Sequence, residues 1–144
     1  GRDYPLAGRA VAVLSSVKEI KERAGGESVT FRARALRFWD IGGIRMCLAG
    51  DESALTRVEV GDEELEEGRS YEFRDAVVKH YPGGWTSASI VDGGEAVLVA
   101  DDVTVSQDEA YVERTFKILS GIQRKKARKE GRVPPWQHPS ERGE

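Results

Sequence analysis

The chain has 144 residues, 39% hydrophobic and 33% charged, and its 22 basic and 25 acidic side chains leave a formal charge of −3. That is the size and balance of one globular domain, neither disordered nor fibrous. The longest apolar runs, such as Ala10 to Leu14 and Ala96 to Ala100, fall far short of the ~20 residues a membrane-spanning helix needs. A lone cysteine, Cys47, cannot form an internal disulfide, and with two histidines it makes a poor zinc inventory, so no cofactor or metal is expected. No basic segment followed by an apolar one opens the sequence, which leads to the expectation of a cytoplasmic protein without a secretory signal. Asparagine is missing, and cysteine and methionine occur once each, against abundant Glu, Arg and Lys. That is a thermophile habit, a hint about the source and not about function.

Residues 1–14 read as an extension, 15–105 as the main domain, 106–130 as a C-terminal helix and 131–144 as a flexible tail. Ser16 with Glu19 makes a capping-box pattern, and Val17, Ile20 and Ala24 follow at helical spacing before Gly25, which predicts a short helix. From Ser28 the apolar residues are Val29, Phe31, Ala33 and Ala35, then Leu36 and Phe38. The change from odd to even positions predicts one long strand with a bulge or sharp bend. Past Gly42-Gly43, Ile44, Met46 and Leu48 alternate as a second strand, read with these residues inward. Ala54 to Val60 is a weaker third strand, followed by an acidic turn from Asp62 to Gly68. Tyr71 and Phe73 open a fourth strand running to about Lys79. Trp85 to Val91 forms a fifth, which Ala96 to Val105 continues after a glycine bend. Ser106 and Glu109 suggest a second capping box, and Val112, Phe116, Leu119 and Ile122 recur at spacings of an amphipathic helix.

Glycine pairs at 25-26, 42-43, 83-84 and 93-94 mark the turns. Several short strands with one long, bent first strand fit a small closed β-barrel better than a sandwich, because such a strand serves both halves of the sheet.

Three stretches carry a resemblance. Ser16 to Leu36 (SVKEIKERAGGESVTFRARAL) resembles the opening of archaeal replication protein A oligonucleotide-binding domains, where a short helix and a glycine precede a strand of alternating valine and arginine type. Asp40 to Glu52 is similar to that family's second strand, and Glu67 to Trp85 to its fourth. The resemblance covers roughly residues 15–105. It implies a mainly β fold: a five-stranded OB-fold barrel with a short N-terminal helix and a longer C-terminal amphipathic helix. It also implies binding of single-stranded DNA, or alternatively RNA, in replication or repair. The family commonly has a tryptophan after the second strand; here Ala49 stands there, and the available indoles are Trp39 and Trp85.

Single-stranded nucleic acid is held by cations that follow phosphates and by aromatic rings that stack on bases. Strand phase puts both on one side. With Val29, Phe31 and Ala33 inward, Arg32 and Arg34 point outward; after the flip, Arg37 and Trp39 do. Arg45 is read as outward on the second strand and Trp85 on the fifth, with Lys79, His80 and Tyr81 at the loop between the fourth and fifth. Arg32, Arg34, Arg37, Arg45 and Lys79 are thus candidate phosphate contacts, and Trp39, Tyr81 and Trp85 candidate stacking residues. The competing readings are that Trp39 covers the barrel mouth, Trp85 packs under the C-terminal helix, and the arginines pair with the acids of Glu59 to Glu67.

Residues 121–144 hold seven bases against three acids, a balance of +4, so residues 1–120 carry −7. The basic run Arg124 to Arg132 with Trp136 reads either as a salt-dependent nucleic-acid contact or as a solvated helix end. The stripe Val112, Phe116, Leu119 and Ile122 packs on the chain's own barrel or joins a partner; the resemblance implies the second option, a homo- or hetero-oligomer through this helix. Enzymatic readings lack support. Asp75, Asp101 and Asp102 have no spaced metal-binding partners, no Gly-Lys-Ser or Gly-Lys-Thr occurs, and Cys47 lies mid-strand without an activating base. The chain is expected not to be an enzyme.

Overall fold

The computed structural model describes residues 13–129, with side chains described to residue 121. Leu14–Ser15 forms a short strand, β1, and the capping box then starts a one-turn helix, α1 (Val17–Ile20). Glu19 N donates to Ser16 Oγ and Ser16 N to Glu19 Oε1, satisfying two otherwise unpaired donors. Val17 and Ile20 are fully buried, so α1 closes one end of the barrel.

The long strand β2 (Ser28–Ile41) is bent as its phase flip predicts. Its first half pairs antiparallel with β5 (Ser70–Tyr81) and its second half with β3 (Ile44–Gly50), with the register breaking between Ala35 and Arg37. Leu36 is the inserted residue, and it packs outside the barrel, not inward as its phase predicts. Gly42 and Gly43 both have positive φ, a conformation glycine adopts without a Cβ clash, and they form the tight β2–β3 turn. β3 pairs with β4 (Leu55–Glu59), β4 runs parallel to β6 (Trp85–Ser89), and β6 pairs with β5, which returns to β2. The ring β2-β3-β4-β6-β5 is therefore a closed five-stranded barrel, with β1 and β7 (Glu95–Leu98) added at its margins. The 21-residue helix α2 (Glu109–Lys129) follows.

The barrel interior holds Phe31, Ala33, Ala35, Cys47, Ala49, Val58, Phe73, Val78 and Ala88, with Phe31 and Phe73 stacked at 5.1 Å. A second cluster lies outside the barrel, between its wall and α2: Trp39, Ile41, Met46, Leu48, Leu55, Val112 and Leu119.

Three further expectations are corrected. Met46 and Leu48 face α2, while Cys47 and Ala49 line the interior, so β3 has the opposite phase to the one predicted. Both its faces are covered, and alternation between apolar residues then carries no inside–outside signal. The segment after the glycine bend does not prolong the fifth strand; β7 folds back antiparallel onto β5. Asp108, not Ser106, caps α2: its Oδ1 accepts from Tyr111 N at 2.8 Å, while Ser106 Oγ donates to the Glu52 carbonyl. The segment 131–144, Trp136 included, lies outside the described residues.

Candidate nucleic-acid interface

The outer wall of β2, β3, β4, β6 and β5 carries the candidate residues, and α2 divides it in two. Over the β2–β3 half the helix lies directly on the sheet. Trp39 does point outward, as the phase flip predicts, but it is only 8% exposed. Its indole meets the Phe116 ring edge-on at 5.7 Å, and its buried Nε1 has no hydrogen-bond partner. Trp39 is therefore a packing residue in this conformation and not an open stacking platform. The same geometry corrects the partner stripe. Val112 and Leu119 are buried, and Phe116 packs against them, because the apolar outer phase of β3 gives the helix its own seat. The side chain of Ile122 lies outside the described residues.

Apart from Arg45, the cations predicted for phosphate are held by this chain's own acids. Arg37 makes two ion pairs with the first turns of α2, to Glu109 and, at 3.3 Å, to Glu113. Desolvation works to lower its guanidinium, but the hydrogen bonds to Glu113 and Glu109 outweigh that and hold it above its ordinary value. Arg32 donates to Glu72 at 2.9 Å across the β2–β5 pair, and Arg34 reaches Asp102 at 3.4 Å. Arg45 shares the interior phase of Cys47, not the outer one, and lies over the Phe38 ring at 4.4 Å. The bend in β2 explains the dispersal: Arg32 belongs to the half paired with β5 and Arg37 to the half paired with β3, so the four arginines do not form one patch.

The β4–β6–β5 half of the wall does bring predicted residues together. Cross-strand register stacks Tyr81 opposite Trp85, then Lys79 opposite Ser87, and Ser87 opposite Arg57. Gly83 and Gly84, both at positive φ, let the chain turn sharply between Tyr81 and Trp85. Glu59 receives hydrogen bonds from Lys79 Nζ at 3.0 Å and Tyr81 OH at 2.9 Å. Burial works to raise its carboxyl, but those bonds prevail and hold it below its ordinary range. The Glu59 bond in turn holds Lys79 above its ordinary value, while burial raises the Tyr81 phenol. Trp85 is half-buried at the edge of the second cluster.

Arg57 is the functional candidate that the strand pattern concealed. It is 3% exposed, donates from Nε to Ser87 Oγ at 2.6 Å, and lies over the Tyr81 ring at 5.0 Å. Desolvation pulls its guanidinium below its ordinary value. It forms no ion pair among the described residues, since Glu59 is engaged by Lys79 and Tyr81. Only the pairing of two non-consecutive strands, β4 and β6, reveals that it shares a face with Trp85 and Lys79.

A crevice of about 460 Å³ opens between this half of the wall and α2, with Lys18, Lys21, Arg57, Trp85, Gln107 and Tyr111 in its lining and no acidic side chain among the described residues. Asp51 sets its rim: its carboxylate accepts from Val17 N, Ser53 N and Ser53 Oγ, and Ser53 Oγ accepts from Lys18 N, which ties α1 to the β3–β4 turn. Another crevice, of about 450 Å³, is lined by Asp62, Glu63 and Glu64 and is electrostatically wrong for phosphate. Among the described residues no cluster of His, Cys, Asp and Glu could hold a metal ion, and no helix is long and apolar enough to cross a membrane.

No family model matches the sequence, and no curated protein matches it. Solved structures do. The OB domain of MM0293 from Methanosarcina mazei is similar at TM-score 0.57 and 19% identity, over 65% of this chain and 89% of that one. The Ifi202 HINa domain, solved in complex with a 20-base-pair DNA duplex, is similar at TM-score 0.53 and 12% identity, over 62% of this chain and 48% of that one. A murine DNA-binding protein bound to duplex DNA is similar at TM-score 0.53 and 11% identity, over 65% of this chain and 51% of that one. The chain thus spans nearly all of the first and about half of the other two. At these identities the likeness speaks for architecture, and the architecture is the OB-fold.

Proposed function

We propose that this chain is a non-catalytic OB-fold domain that binds single-stranded DNA, in the manner of replication protein A modules in replication or repair. The observation that carries the reading is the cross-strand ladder Tyr81–Trp85 and Lys79–Ser87–Arg57, which sets two aromatic rings and two cations on adjacent strands of one wall. Rings and cations in alternation match the bases and phosphates of an unpaired strand. The serines between them let a backbone approach closely. Two structurally similar proteins were solved on duplex DNA, which supports a nucleic-acid ligand; the aromatic rungs favour an unpaired strand, because only there are base faces available. Catalysis is left out of the reading because Cys47 is buried, with its thiol pushed up to about 12 by desolvation, and Asp102 is engaged by Arg34.

The test is a fluorescence titration of the full chain with oligothymidylate and with a duplex of equal length. Quenching by the single strand that weakens steeply with salt, and that Trp85→Ala and Lys79→Ala each reduce, supports the reading. Quenching by duplex alone, or none at all, overturns it.

A second reading has its own observation. Ile118 is an exposed apolar residue of α2, away from the side that covers Trp39. In that reading the barrel is an interaction subunit of a larger assembly, and sedimentation of the chain and its Ile118→Ser variant reports self-association.

A further inference from the structure

We propose that the crevice between α2 and the β4–β6 wall holds one unpaired nucleotide of the bound strand, with the base against Trp85 and Tyr111 and the phosphate on Arg57, Lys18 and Lys21. This rests on the strand-binding reading and assigns it a base pocket that the added helix, not the barrel alone, completes.

Size and charge come first. About 460 Å³ lies within the range of pockets that enclose small ligands. Three cations and no acid among the described lining residues select an anion, whereas the similar-sized crevice beside Asp62 to Glu64 rejects one. Two polar groups then narrow the class. The Arg57 guanidinium is almost wholly buried, lies over the Tyr81 ring, and among the described residues is hydrogen-bonded only through Nε, to Ser87. Burying a cation with no anion paired to it among the described residues is costly, so an anionic acceptor from outside is favoured here. Gln107 lines the same crevice, and its buried Oε1 accepts no hydrogen bond. Inorganic phosphate satisfies the arginine but brings no N–H, only the O–H of its protonated forms, to the amide oxygen. A nucleobase does, because its edge carries N–H donors beside carbonyl acceptors. Finally, Tyr111 is 47% exposed at the crevice and takes no part in the apolar cluster that seats α2. Arg114 lies over that ring at 5.8 Å, and the ring's other face can stack.

The experiment uses the full chain. Thymidine 5′-monophosphate and inorganic phosphate are titrated separately while the Trp85 indole N–H and Gln107 side-chain amide signals are followed by NMR. Oligothymidylate affinity is measured for wild type, Tyr111→Ala, Tyr111→Phe and Gln107→Leu. The expected result is that the nucleotide moves both signals and phosphate does not. Tyr111→Ala lowers oligothymidylate affinity about tenfold, in line with one stacked base, Tyr111→Phe retains it, and Gln107→Leu weakens it. If phosphate reproduces the nucleotide's shifts, the base pocket is overturned in favour of a plain anion site. If oligothymidylate binds Tyr111→Ala as tightly as wild type, strand binding stands and the pocket falls. If wild type binds no oligothymidylate, the underlying reading fails and the pocket with it.

Discussion

The Trp39 indole and the Phe116 ring meet edge to face at 5.7 Å, fastening α2 to the outside of the barrel wall. Removing the Phe116 ring is expected to lower stability by about 2 kcal/mol, roughly half the loss for a fully buried phenylalanine, since Phe116 is half-buried. The emission of Trp39 then shifts to the red. Trp39→Phe is expected to be close to neutral, because the indole Nε1 has no partner to lose. Urea denaturation with tryptophan emission checks both.

Arg37 anchors the start of the same helix through Glu109 and Glu113. Arg37→Ala is expected to cost about 1 kcal/mol, within the range of partly exposed pairs. Its clearer signature is local: amide exchange in residues 109–116 accelerates by about fivefold, while the barrel strands keep their protection. Added salt reproduces part of the effect in the wild type.

Acid acts through Glu72 and Glu59. Hydrogen bonds from Arg74 and Arg32 hold the Glu72 carboxyl below its ordinary range, and Glu59 lies below its own despite burial. A carboxylate depressed in the folded state contributes stability that is complete above the unfolded value of about 4.3 and disappears as pH falls through the folded value. Urea midpoints are therefore expected to drop on acidification below about pH 4, and Glu72→Gln is expected to show a shallower drop.

Gly94 lies against backbone. A Cβ there would stand 2.7 Å from the Arg74 carbonyl oxygen and 3.0 Å from both the Asp75 carbonyl oxygen and the Ile90 Cα. None of these atoms can rotate away, so Gly94→Ala is expected to destabilise the chain by about 2 kcal/mol or more, with the strongest gain in amide exchange in β7. A melting temperature equal to the wild type's would show that the β6–β7 connection yields more easily than its geometry implies.

Cys47 is sealed in the barrel with its thiol pushed up to about 12 by desolvation. A thiol reagent at mildly alkaline pH is expected to leave the native chain unmodified and to label it at the rate of global opening, so labelling in a urea series should track the unfolding curve.

How much of this was legible in the residues depends on whether one face or two is covered. β2 was readable in its first half because Val29, Phe31, Ala33 and Ala35 leave only one face apolar there, and the break at Leu36 is a change of parity. In the second half Phe38 lies inward and Trp39 and Ile41 outward, so both faces are apolar. β3 was not readable, because Met46, Cys47, Leu48 and Ala49 are all apolar, and the larger pair faces a helix rather than the interior. That unbroken apolar run was the available signal for a second layer. The placement of Trp39 outside its barrel was correct, but local parity cannot foresee that α2 returns to cover it. Arg57 looked like a charged interruption in a weak strand. Its value depends on β6, which pairs with β4 only after the chain has passed through β5.

The apolar seat beneath α2 also decides where the molecule can be cut. Ile41, Met46, Leu48 and Leu55 are covered from outside by Val112 and Leu119, so a fragment ending at residue 105 would expose an oily flank beside an intact ring of strands. Such a fragment would precipitate or pair with its own kind, and any excised piece meant for solution work has to keep the helix as its detergent.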